Sequence, residues 1–161
     1  MSQKLVITHL GDKGLGLVEI ARKELVSENC FISIDKILPH EEILEERATG
    51  MENYIASLYP WTILPSILVC KRSFVIIDGH HRYYVLKKLG YKNLPVTLIE
   101  YHSDKIITHD DGQKMLEKKN ILDCGLKNQL LKPKSTMHHC IYEKYIFPII
   151  LLSDIRALKY G

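Results

Sequence analysis

Asp78-Gly79-His80-His81-Arg82 is the stretch of this 161-residue chain best equipped for chemistry. It follows the apolar run Phe74 to Ile77 and precedes Val85, Leu86 and Leu89 at helical spacing, so it reads as a strand passing into a helix through an Asp-Gly turn. The first backbone N–H groups of a helix lack intrahelical partners and carry the positive end of its dipole; two imidazoles and a guanidinium added there make a site for phosphate. A capping aspartate with solvated basic neighbours accounts for the same residues. A second group, Pro133-Lys134-Ser135-Thr136-Met137-His138, gathers an ammonium, two hydroxyls and an imidazole. These donor types hold phosphate oxygens, and they also make an ordinary polar turn. The third feature is Glu41. Leu44, Ala48, Met51, Ile55 and Leu58 recur at spacings of four, three, four and three, which predicts a helix after Pro39. Stepping back three residues from Leu44 places Glu41 on its inward stripe, with Glu42, Glu45 and Glu46 mainly on other faces. Such a carboxylate either complements the helix dipole or faces a cleft as a general base.

Several sharper chemistries are absent. The chain has no Gly-x-x-x-x-Gly-Lys-[Ser/Thr] loop, and Gly11-Asp-Lys-Gly14-Leu-Gly16 has the wrong glycine order for a dinucleotide fingerprint. Neighbouring side chains diverge on a helix or strand, so neither His80-His81 nor His138-His139 forms a metal clamp alone, and no metal ligand is assigned. His9, His102 and His109 read as surface residues, and Trp61 as core or pocket wall. Cys30, Cys70, Cys124 and Cys140 show no Cys-x-x-Cys spacing; reduced thiols in a cytoplasmic or nuclear protein are expected. The net charge of +3 hides segregation: Glu41 to Glu52 holds five glutamates and one arginine, a local −4, while Lys114 to Lys144 holds seven lysines against three acids, a local +4. The basic stretch could meet phosphate.

The elements that must position these residues follow from periodicity and breakers. Leu5 to Leu10 reads as a strand, Leu17 to Val26 as a helix and Cys30 to Ile34 as a strand. The helix after Pro39 ends at Pro60. Ile67 to Cys70 and Phe74 to Ile77 read as paired strands around a Lys-Arg-Ser turn, followed by a short helix closed by Gly90 and a strand from Pro95 to Tyr101. Asp111 to Lys119 is expected to be helical, Gly125 to Leu131 a helical turn, and Tyr145 to Leu152 an apolar segment before a last turn. The order predicts one compact α/β (α+β) domain, a mixed sheet with packed helices. The apolar runs are far short of the ~20 residues that cross a bilayer, and the start lacks a signal-like apolar region, so no membrane partner is expected.

Three of these motifs, in this order, give the chain a family resemblance. Asp35-Lys-Ile-Leu-Pro39-His40-Glu41, Asp78-Gly-His-His-Arg82 followed by a helix and Leu89-Gly90, and Pro133-Lys-Ser-Thr136-Met-His138 together resemble the ParB/sulfiredoxin superfamily, nearest its free L-serine kinase branch. The resemblance implies a ParB/sulfiredoxin-like nucleotide-binding domain over 28–142, preceded by an unassigned extension over 1–27. An apolar segment over 143–161 is expected to pack on the same domain. It further implies that Glu41 is the base for a hydroxyl and that Asp78 organises phosphate, metal or substrate. Gly79, His80, His81, Arg82, Lys134, Ser135, Thr136 and His138 would hold the phosphates of ATP or ADP, with Mg²⁺ bridging them and a small hydroxyl-bearing molecule as acceptor. Met137 stands where the late motif often carries an arginine. His80 stands where the sulfiredoxin branch needs its cysteine, which disfavours sulfinic-acid repair. The rival reading is a non-enzymatic ParB-like module that binds nucleotide or nucleic acid. With no recognisable helix-turn-helix unit, this chain alone is not expected to read DNA sequence.

Overall fold

The computed structural model describes residues 6–8, 25–58, 63–142, 145–147 and 150–154. In chain order these form β1 (Val6–Thr8), β2 (Val26–Ser33), α1 (Glu45–Leu58), β3 (Ile63–Pro65), β4 (Ile67–Cys70) and β5 (Ile76–Asp78). There follow α2 (His80–Lys88), β6 (Asn93–Ile99), β7 (Ile106–His109), α3 (Lys118–Leu126), β8 (Met137–Tyr142), β9 (Tyr145–Phe147) and β10 (Ile150–Asp154). No described helix is long and apolar enough to cross a membrane.

The central sheet has the order β2-β6-β4-β5 and is mixed: β4 runs parallel to β6, while β2–β6 and β4–β5 are antiparallel. All four residues of β4 are buried and β6 is buried from Leu94 onward, because both faces of this sheet are covered. On one side Ile67, Val69, Ile76 and Val96 pack with Ala48 and Ile55 of α1 and with Val85 and Leu86 of α2. On the other, Leu68, Val75 and Ile77 pack with Tyr101, Ile106 of β7 and Leu122 of α3. Gly125 of α3 lies so close to the sheet that a Cβ there would sit 2.7 Å from a Val75 methyl. Burial of these two apolar layers is the main stabilising force, at about 25 cal/mol per Å² of apolar surface removed from water.

The free edge of β5 is where the site is assembled. Leu38 N–H donates to the Phe74 carbonyl and Ile76 N–H to the Leu38 carbonyl, so the 38–42 segment is tied to the sheet edge at Leu38 by a parallel bridge. The same segment holds the late part of the chain: Leu131 N–H donates to the His40 carbonyl and Glu42 N–H to the Leu131 carbonyl. This pairing carries the loop after Leu131 to Glu41.

It also corrects the reason given for Glu41. That residue is not on the long helix, which begins at Glu45, because the backbone bonds flanking Glu41 go to Leu131 rather than up a helical ladder. Leu44 is 41% exposed, so the buried stripe starts at Ala48. The expected helix over Asp111 to Lys119 is a second correction. Asp110 and Lys114 close a tight turn, with Asp110 N–H on the Lys114 carbonyl and Lys114 N–H on Asp110 Oδ1, and Gln113 takes a left-handed φ of 66°. Turn chemistry wins there and the helix waits until Lys118. Gly125 accordingly belongs to α3, whose last residue is Leu126. The paired strands around Lys71 to Ser73, the short helix closed by Gly90 and the strand through Pro95 are present. Val26 opens β2, whereas the rest of the helix expected from Leu17, apart from Leu25, lies outside the described residues, as do His9 and Trp61.

Candidate active site

A cleft of about 390 Å³ opens between the β5–α2 turn, the segment before α1 and the loop that precedes β8. Glu41, Asp78, Gly79, His80, His81, Arg82, Lys134, Thr136 and His138 all line it, so residues separated by more than ninety positions in sequence share one wall. Of the residues singled out in the sequence, Ser135 is the exception. Its hydroxyl donates to the Lys132 carbonyl at 2.7 Å, which closes the loop on itself.

The turn is built around Gly79. Its φ of +108° lies in the left-handed region, and a Cβ would fall 2.8 Å from Arg82 Nη2, so backbone and guanidinium approach as only glycine permits. Arg82 donates from Nη2 to Asp78 Oδ2 at 3.1 Å and to the Ser66 carbonyl at 3.3 Å, while its buried Nε has no partner among the described residues. Asp78 is therefore no helix cap. It faces the cleft, and although withdrawal from water pushes its carboxyl up, the Arg82 charge and hydrogen bond, with Lys134 beyond, hold it below the ordinary value. An unpartnered Arg82 N–H beside free helix N–H groups fits an anionic phosphate.

The paired histidines do different work. His80 Nε2 accepts from the His40 backbone N–H at 3.1 Å, and His81 Nε2 accepts from the Leu44 N–H at 2.9 Å. A ring nitrogen that accepts carries no proton, so both rings are neutral with their proton on Nδ1. Burial lowers the basicity of both, His80 strongly. They anchor the 40–44 segment and offer N–H donors rather than full charges. His80 Nδ1 faces Glu41 Oε2 at 3.9 Å. His138 is also held neutral, pushed down to about 3 by burial and by neighbouring His40, and its Nε2 meets the Tyr101 hydroxyl at 3.0 Å. His109 is half-buried rather than on the surface, because its ring stacks on His139 with centroids 4.9 Å apart.

Glu41 is 7% exposed and clasps the late loop. It accepts from Lys134 N–H at 3.2 Å, from Thr136 N–H at 2.8 Å and from the Thr136 hydroxyl. Lys134 has a φ of 60°, a left-handed conformation that a lysine adopts at a cost, and it curls the loop so that both N–H groups aim at one carboxylate. Sequence reasoning missed two contributors. His40 is fully buried and bridges the Ile76 carbonyl and Thr136 Oγ; only its place in the Pro-His-Glu triplet pointed to it. Arg47 of α1 lines the cleft from an acidic stretch where no single residue stood out. Three cations, Arg47, Arg82 and Lys134, thus face two carboxylates, Glu41 and Asp78. No group of three or more metal-ligating side chains occurs among the described residues.

No family model matches the chain. It is 33% identical over 81 residues to an ATP-dependent L-serine kinase of Staphylothermus marinus, covering 49% of this chain and 32% of that protein. It is likewise 33% identical over 78 residues to the ADP-dependent L-serine kinase SerK of Thermococcus kodakarensis, covering 47% of this chain and 32% of that one. The chain thus spans about a third of the length of these curated relatives. A solved free serine kinase in complex with AMP superposes with a TM-score of 0.65 at 14% identity, over 81% of this chain and 93% of that one. The fold is shared with that enzyme, and the resemblance to the serine-kinase branch extends well beyond three short motifs.

Proposed function

We propose that this chain transfers the terminal phosphoryl group of ATP or ADP to the hydroxyl of free L-serine, giving O-phosphoserine. The observation that supports this most is the meeting of Glu41, the Asp78–Arg82 turn and the Lys134–His138 loop in one cleft, whose volume of about 390 Å³ falls in the range of small-ligand pockets. The nucleotide phosphates would lie against the N-terminus of α2, where the backbone N–H groups, Arg82 and Lys134 neutralise charge on the transferring group and on the leaving nucleotide. Glu41 takes the proton of the serine hydroxyl as its oxygen bonds to phosphorus, and the bond from that phosphorus to the shortened nucleotide breaks. Mg²⁺ would be held chiefly by the phosphates, since it keeps several waters and takes one or two carboxylates, and Asp78 would be the carboxylate that joins it. The metal's contribution is to draw charge off the phosphoryl oxygens.

The named relatives act on L-serine, and here the acceptor must be small enough to reach a carboxylate that is only 7% exposed. The test is serine-dependent consumption of nucleotide: pure protein, Mg²⁺, ATP or ADP, and free serine against a peptide serine. Consumption with free serine alone supports the reading. Nucleotide binding with no serine-dependent turnover would make the chain a nucleotide-binding module, for which Glu41 has no catalytic task.

A further inference from the structure

Thr136 Oγ lies between two acceptors. One is Oε1 of Glu41, the other Nε2 of His40 at 2.9 Å. His40 Nδ1 stands 2.6 Å from the Ile76 carbonyl oxygen, which can only accept, so the ring proton is on Nδ1 and Nε2 presents a lone pair. The ring is fully buried, which favours its neutral form, with the Glu41 charge pulling the other way. The remaining groups around it add no charge: the His80 and His138 rings, 4.5 and 6.0 Å away, are themselves held neutral by burial. One hydroxyl proton therefore serves two buried acceptors.

We infer that Thr136 is a two-position proton switch, with His40 as its second acceptor: the hydroxyl donates to Glu41 while the carboxylate is charged and turns to His40 Nε2 once Glu41 has taken a proton. This rests on Glu41 being the base of the proposed kinase. The protons balance without any passing through the histidine. The substrate proton arrives on Glu41 Oε2, whose backbone donor is Lys134 N–H at 3.2 Å. Thr136 keeps its own proton and swings it from Oε1 to Nε2, while Oε1 retains the Thr136 N–H at 2.8 Å. Before transfer His40 Nε2 is a buried acceptor with no donor; afterwards it has one, while the new Glu41 Oε2–H points back at the substrate oxygen that released the proton. Leaving a buried acceptor unmet is costly, so the turn to His40 offsets part of the cost of protonating Glu41. His40 and Thr136 are thus positioning residues that ease the proton's arrival.

The switch is visible without turnover, in the imidazole ¹⁵N spectrum of the full chain near pH 7.5. Glu41→Gln imitates the protonated carboxyl, and the expected result is an upfield move of the His40 Nε2 resonance as it gains the Thr136 hydroxyl. The move should vanish in Glu41→Gln/Thr136→Val and survive in Glu41→Gln/Thr136→Ser. In the otherwise unaltered chain Thr136→Val should lower kcat about 10- to 100-fold, within the range of proton-transfer effects. Thr136→Ser should rescue it. His40→Asn, which keeps a donor for the Ile76 carbonyl but has no acceptor at the Nε2 position, should match Thr136→Val; should it fail to fold, the isosteric Thr136→Val carries the test. A His40 Nε2 resonance indifferent to Glu41→Gln overturns the switch whether or not serine is phosphorylated. A responsive resonance in a chain that never phosphorylates serine overturns the kinase reading and leaves the switch standing.

Discussion

Truncating Glu41 separates its observed hold on the late loop from the base role proposed for the same carboxylate. Lys134 N–H and the Thr136 groups bind different oxygens of Glu41, so Glu41→Gln keeps an acceptor for one side of the clasp only, whereas Glu41→Ala leaves both N–H groups, and the Thr136 hydroxyl, without an acceptor. A hydrogen bond to a charged group contributes about 1.5–3 kcal/mol net, and water can reach the exposed Lys134 end of the loop, so three lost bonds should cost about 2–4 kcal/mol rather than their full sum. For a domain of this size that is a fall of roughly 5–15 °C in Tm, with a smaller fall for Glu41→Gln, which loses only part of the clasp. Phosphoryl transfer should behave differently. Both variants remove the proposed base and should drop by roughly 10²- to 10⁴-fold in kcat, with Glu41→Ala also losing nucleotide affinity because its loop is no longer held. Differential scanning calorimetry with a steady-state assay measures both. Glu45→Gln is the control, since Glu45 is exposed, outside the cleft, and accepts from the Tyr84 hydroxyl at 3.5 Å. A Glu41→Ala protein as stable as the parent would refute the clasp, and retained turnover in Glu41→Gln would refute the base.

Arg82→Ala and Lys134→Ala should each weaken nucleotide binding by about tenfold, and the double variant should depart from additivity because both side chains would serve one phosphate group; additive losses by calorimetry would place them at separate sites. His138 has a folded value of about 3 against an ordinary 6.5, so the unfolded chain binds its proton first as pH falls. Its share of stability is complete above pH 6.5 and declines below it, by about 2 kcal/mol at pH 5; His138→Gln should flatten that slope in denaturant titrations between pH 7 and 5, and an unchanged slope would mean the ring is not buried neutral. Unrelated DNA duplexes should bind with equal, weak and steeply salt-dependent affinity, and tight binding to one of them by fluorescence anisotropy would contradict the expectation that this chain alone does not read DNA sequence.

How much of this was legible in the sequence depends on how far each residue's partners lie. The Asp78–Arg82 turn was readable because strand, turn and helix are consecutive, and its signals are local. The late loop was readable only as a set of donors, since nothing within Lys134 to His138 announces that Glu41 will organise it from 95 residues away. Glu41 is buried as its periodicity suggests, but on a helical phase that does not exist there; the burial comes from Leu38 bridging to the strand at Val75 and Glu41 to Leu131. His40 stayed hidden because its partners, the Ile76 carbonyl and Thr136, are 36 and 96 residues distant, and a buried polar side chain reveals itself only through such partners. The His80 and His81 tautomers were equally invisible: two imidazoles in a basic motif read as cations until the backbone N–H groups of His40 and Leu44 are found on them. The helix expected at Asp111 to Lys119 failed for the opposite reason, because the local Asp110–Gly112 turn signal was underweighted.

The central claim, that one cleft binds a nucleotide and phosphorylates free serine, is most directly tested by phosphorus NMR of the chain with Mg²⁺, serine and either ATP or ADP. The account predicts a phosphomonoester resonance of O-phosphoserine that grows as the donor's terminal phosphate declines, leaving a nucleotide one phosphoryl shorter, and that is absent with Glu41→Gln. Release of inorganic phosphate alone, or an unchanged spectrum with both donors under conditions where nucleotide is bound, would contradict it.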